Sequence, residues 1–143
     1  MSFTGVLIQL KQSNSNTYDN FPSDWIVEKS FKPTPNQRLD TSDSKRDTAG
    51  HLHRTVLPYK PSKVEFSLRR MTNVEINAFN TFMRNHFTDP LKREFTMRFY
   101  NVETDSYTTG VFYMPDPEYT IRQIDTTKNL IRYEETRIAF IQN

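Results

Sequence analysis

Apolar and polar residues alternate with a period of two along much of the chain. Within residues 4–11, Val6, Ile8 and Leu10 alternate with Leu7 and Gln9, and within 62–70, Val64, Phe66 and Leu68 alternate with Glu65, Ser67 and Arg69. Successive side chains of a strand point to opposite faces, so each pattern predicts a strand with one buried face. Residues 25–27, 53–57, 94–102, 107–114, 119–124 and 130–141 are also rich in aromatic or β-branched side chains and bounded by polar turns. About eight short strands in 143 residues predict a mainly-β single domain, either a β-sandwich or a partly open barrel.

One segment has the helical period. Thr72 and Glu75 are spaced as a capping box, and Ile76, Phe79, Phe82, Met83, His86 and Phe87 then recur every three or four residues. An amphipathic helix over 73–87 is predicted to lie on the sheet, and Asp89-Pro90 to stop it, because the residue before proline is pushed out of the helical region. Residues 103–106 read as a hairpin loop and 114–117 as a rigid break. Residues 12–20 are rich in Asn, Ser and Thr and carry no strand signal. Residues 28–50 are polar, lack apolar periodicity and predict one long loop; loops of that length in a compact domain are usually functional or disordered.

Composition narrows the class. Eleven Phe, seven Tyr and one Trp are too many for a disordered chain, although the mean hydropathy of -0.76 is low. The absence of cysteine excludes a disulfide scaffold, a thiol nucleophile and thiolate metal sites. Apolar runs as short as Gly5-Val6-Leu7-Ile8 predict no membrane span and no signal peptide, and so a soluble protein made inside the cell. The net charge of +2 is too small for a nonspecific nucleic-acid binder. Within residues 28–70, however, ten Lys and Arg face five Asp and Glu, while both flanks are slightly acidic. Such asymmetry suits a surface that meets acidic neighbours.

Candidate chemistry is sparse. His51 and His53 would share one face of a strand, with His86 as a third ligand, but no acidic or histidine partner has matching local spacing and no metal is expected. No nucleophile elbow, Walker sequence or glycine-rich phosphate loop occurs. Glu134-Glu135 would point to opposite faces of a strand and so form no acid/base pair. In Met97-Arg98-Phe99-Tyr100 the alternation predicts Phe95, Met97 and Phe99 in the core and Thr96, Arg98 and Tyr100 outside, a packing pattern and not a base-stacking platform. Neither an enzyme nor a cofactor is expected.

From Asp47 onward the chain resembles a family of small tail-module proteins of long-tailed phages of Gram-positive bacteria. The residues that carry the resemblance are Asp47-x-x-Gly50-x-x-His53-Arg54-x-x-Leu57, the strand Lys63-Val64-Glu65-Phe66-Ser67-Leu68, the Thr72-x-x-Glu75 helix start, and paired aromatic strands ending in Ala139-Phe140. Leu7-Ile8-Gln9-Leu10 departs from the family's usual Asn-Gly-Val opening, and 28–50 is longer and more polar than usual. The resemblance implies kinship with the tail-tube and distal-tail group, in which a β-sandwich with one flanking helix joins its neighbours in a ring.

The expected role is that of a structural virion protein, made in the host bacterial cytoplasm and placed in the tail as a ring-forming distal-tail or baseplate-hub subunit. Its partners would be itself, in a six-fold ring, and adjacent tail proteins, with no membrane and no specific nucleic acid, although DNA could pass through a tail channel. Alternatives are a tail-tube or tail-completion subunit (terminator or connector), or a small carbohydrate- or nucleic-acid-binding β module. The residues expected at subunit contacts are Arg38, Asp43, Lys45, Arg46, Asp47, His53 and Arg54 on the basic segment, and Glu134 and Glu135, the latter two with Asp116 and Glu118 as acidic counterparts.

Overall fold

The computed structural model describes residues 2–38, 45–53, 58 and 60–143. In chain order it contains β1 (Ile8–Lys11), β2 (Tyr18–Asn20), β3 (Lys32–Thr34), β4 (Lys45–Arg46), β5 (Leu52–His53), β6 (Lys63–Leu68), helix α1 (Asn73–His86), β7 (Glu94–Asn101), β8 (Ser106–Tyr113), β9 (Ile121–Asp125), β10 (Leu130–Tyr133) and β11 (Thr136–Gln142). The fold is mainly β with one helix, as the periodicities predict. An antiparallel sheet of order β2-β1-β7-β8-β11-β6-β3 forms the body, and β4–β5 and β9–β10 are separate hairpins.

The main sheet curls around its own core. A flat sheet would hold β1 and β6, four places apart, about 19 Å from each other. Yet the amide of Phe21 donates to the Ile8 carbonyl at 2.9 Å while its ring centroid lies 5.5 Å from that of Phe66. The chain then reaches β6, where Val27 donates to Ser67 at 3.0 Å and Arg69 donates to Trp25 at 2.9 Å. Residues 21–27 thus strap one side of the sheet to the other. The edges β2 and β3 are not paired to each other, so the barrel is open.

The alternating positions meet inside this curl. Ile8 and Leu10, Val64, Phe66 and Leu68, and Phe95, Met97 and Phe99 are all buried, and Phe112, Ile138 and Phe140 complete the same face. Helix α1 closes it with Ile76, Phe79 and Met83. Its capping box is formed: the Thr72 hydroxyl accepts from the Glu75 amide, and the Glu75 carboxylate accepts from the Thr72 amide at 3.1 Å. Arg98 lies on the opposite face with its guanidinium 4.0 Å from the centre of the Tyr18 ring.

The structure corrects the sequence reading where pairing is decided by distant residues. Residues 25–27 form no strand; Ser23–Trp25 is a 3-10 turn, and Ile26 makes a lone bridge to Leu68. Residues 28–50 are not one loop, because Glu28–Ser30 form a 3-10 turn, Lys32–Thr34 pair with β6, and Lys45–Arg46 pair with β5. Tyr18–Asn20 form an unpredicted edge strand on β1. Residues 130–141 are two strands in two different sheets, separated at Glu134-Glu135. Of the strand expected over 53–57, His53 closes β5 and the remainder lies outside the described residues.

Candidate subunit-contact surface

The basic segment is built as a small hairpin. Strands β4 and β5 pair Lys45 with His53 and Arg46 with Leu52. The Asp47 carboxylate accepts from the amides of Ala49 at 3.0 Å and His51 at 2.9 Å, and Gly50 adopts φ +88, a backbone conformation that favours glycine. The Arg46 guanidinium donates to the Gly50 carbonyl at 2.9 Å. Asp47 is therefore occupied in shaping the turn, which suffices to explain the Asp47-x-x-Gly50 spacing. Residues 46–52 are exposed, Leu52 among them. Arg38 is exposed as well, and donates to the Asn36 carbonyl. Asp43 and Arg54 lie outside the described residues.

The acidic candidates occupy a different place. Glu134 and Glu135 stand at the corner between β10 and β11, where the strand geometry expected for them is broken. The two oxygens of Glu134 face Arg70 at 3.5 Å and Arg122 at 3.7 Å, so this carboxylate is already neutralised within the chain. Glu135 is exposed. Asp116 pairs with Arg93 at 3.1 Å. The outward acidic charge available to a neighbour is thus carried by Glu135 and Glu118, both exposed, more than by Glu134.

His51 and His86 sit in different settings. His51 is exposed, with its Nδ1 3.8 Å from Asp47, whereas His86 is buried at the end of α1. Among the described residues, no group of three or more His, Asp or Glu could hold a metal ion. His86 instead joins the helix to β2: its Nε2 lies 2.7 Å from the Asp19 carboxylate and its Nδ1 lies 2.7 Å from the Phe82 carbonyl. Hydrogen bonds from His86, then Gln12, hold the Asp19 carboxyl below its ordinary range. The sequence gives no sign of this tie, since 67 residues separate the partners.

Other charges are spent on fold geometry. The Arg137 and Lys63 side chains both reach Glu65, at 2.6 and 3.2 Å, and lower its carboxyl in that order of effect. Glu75 is lowered first by Arg69, at 2.6 Å, and then by the Thr72 amide. Tyr119 is raised chiefly by burial, and its hydroxyl donates to Asn80 at 3.4 Å. These interactions tie strands and the helix start together within the fold.

No curated protein matches this chain, and no solved structure does. A family model, described as a family of unknown function, DUF6711, matches residues 1–143, and the chain belongs to that family.

Proposed function

We propose that the protein is a structural subunit of a phage tail or of a phage-derived tail-like particle, most specifically a ring-forming component at the distal tail or baseplate hub. The observation that carries this reading is the β4–β5 hairpin. Its strands are two residues each, and its residues 46–52 are exposed. An isolated two-stranded hairpin is marginally stable in water. A neighbouring subunit that covered Leu52 and met Lys45 and Arg46 with acid would add apolar and charged contacts to such a hairpin. The sequence likeness of Asp47, Gly50 and the helix start to tail-module proteins points the same way, as does the curled sheet with one flanking helix.

Electron microscopy of the purified protein, with sedimentation velocity across concentration, tests the proposal. Closed rings or short tubes are the expected result. A chain that stays monomeric to millimolar concentration, with no ring in any micrograph, would reject it.

A further inference from the structure

We infer that the free edge of β9 is a self-association edge, on which two copies pair antiparallel about a two-fold axis through Ile124. The β9–β10 hairpin has only two strands. On its β10 side it is covered: the Tyr133 amide donates to the Met71 carbonyl at 2.8 Å, the Ile131 amide donates to Asn73 Oδ1 at 3.1 Å, and Arg132 bridges to Thr72. Among the described residues, no strand lies on the β9 side.

The direction of the bare groups follows from those bonds. Ile131 opposes Ile124, and its amide turns away from β9 to reach Asn73. In an antiparallel ladder such a residue belongs to a non-hydrogen-bonded pair, so the amide and carbonyl of Ile124 also turn away from their strand partner. They point out of the open edge. A second β9 brought up around a two-fold at Ile124 exchanges two hydrogen bonds there, from each Ile124 amide to the other copy's Ile124 carbonyl. The result is a four-stranded sheet.

Side chains suit the same register. Residues opposed across strands share a face, so Ile131 and Ile124 of both copies form one apolar row of four across the joined sheet. Ile124 is 62% exposed and Ile121 is 51% exposed in the single chain, an unusual state for isoleucines in a strand. Gln123 falls opposite Asp125, an amide facing a carboxylate, and no like charges oppose each other. Arg122 is already held by Glu134 at 3.7 Å.

The two edges of the main sheet are blunted. Strand β3 is three residues long with Pro33 at its centre, which has no amide to donate, and β2 is also three residues long. Strand β9 has five residues and contains neither proline nor lysine. A second copy is the occupant this edge fits, because its self-complementarity is complete without any other sequence.

This contact stands apart from the ring reading. A two-fold contact closes on itself with two copies, whereas a ring needs a head-to-tail contact.

Cross-linking of the full chain tests it. The sequence has no cysteine, so Ile124→Cys gives a single thiol. Directly opposed residues of a hydrogen-bonded antiparallel pair lie about 5.5 Å apart between Cα atoms, inside the span of a disulfide. Under mild oxidation Ile124→Cys should form covalent dimers at least tenfold faster than Leu91→Cys, a residue 94% exposed on the turn after α1. Ile124→Lys should raise the dimer dissociation constant at least tenfold with an unchanged circular dichroism spectrum. Equal cross-linking at the two positions, or dimers unaffected by Ile124→Lys, would overturn the inference. Rings without Ile124 cross-links would sink this contact alone, and cross-linked dimers without rings would sink the ring proposal alone.

Discussion

The imidazole of His86, 4% exposed, is held between two acceptors, with Asp19 2.7 Å from Nε2 and the Phe82 carbonyl 2.7 Å from Nδ1. The Phe82 carbonyl and an ionised Asp19 carboxylate both accept, so each ring nitrogen of His86 faces an oxygen. The pair fastens the edge hairpin β1–β2 to the last turn of α1.

Acid should loosen this tie. The folded-state carboxyl of Asp19 is lowered, so the stability it supplies is full above the ordinary carboxylate range and is lost as pH falls through that range and below. Chemical denaturation between pH 6 and pH 3 should show Asp19→Asn with a shallower loss of stability than wild type. The Asp19 side chain is 38% exposed, so solvent screening keeps the difference modest, about 1 kcal/mol. Parallel acid limbs for the two proteins would contradict the assignment.

Helix α1 separates two phenylalanines that its periodicity alone treats alike. Phe79 is fully buried, whereas Phe82 is half-buried against Trp25, Phe21 and the His86 ring. Phe79→Ala should cost roughly 3–5 kcal/mol as a core truncation, and Phe82→Ala distinctly less. Thr72→Ala should cost about 1 kcal/mol, the usual loss of a helix cap. Urea midpoints at constant m-value give the ranking, and a Thr72 effect equal to that of Phe79 would contradict it.

Gly110 and Gln142 should be coupled. A Cβ on Gly110 would come within 2.5 Å of Gln142 Nε2, and Gln142 Oε1 accepts from the buried Ser62 amide at 2.8 Å. Gly110→Ala therefore displaces the amide group and strips Ser62 of its partner, at about 1–3 kcal/mol. Gln142→Ala removes the same bond. The double variant should be less destabilised than the sum of the singles, and strict additivity in a thermodynamic cycle would show that the two act independently.

Assembly through the β4–β5 hairpin should depend on charge. Lys45→Glu with Arg46→Glu should weaken sedimenting assemblies while circular dichroism stays unchanged, and salt should weaken the wild type as screening tightens from ~10 Å at 0.1 M to ~3 Å at 1 M. Assembly indifferent to both would assign the contact to apolar surface instead.

The elements legible in the sequence are those that carry their own periodicity. Strand β6 alternates Val64, Phe66 and Leu68 against polar residues, β7 alternates Phe95, Met97 and Phe99, and α1 has both a cap and an apolar stripe. Strands β2 and β3 have no such stripe, because three residues at a sheet edge are held by the neighbouring ladder and not by local preference. Trp25, Ile26 and Val27 look like a strand by composition, yet they serve as a strap whose bonds lie some forty residues away on β6. Of the candidate contact residues, Lys45, Arg46, Asp47 and His53 lie in one hairpin, a pairing that reading 28–50 as a single loop did not contain. The internal pairing of Glu134 was invisible because Arg70 and Arg122 are distant in sequence.

Strand β11 is the last strand in chain order and yet lies between β8 and β6 in the sheet. Synthesis from the N-terminus thus delivers both flanks before the strand that joins them. Until Thr136–Gln142 emerge from the ribosome, β6 and β8 each present a bare edge next to unsatisfied aromatic surface. Joining of the two halves of the sheet accordingly waits on residues 136–142, and the interval before they arrive is the one in which a chaperone would matter most.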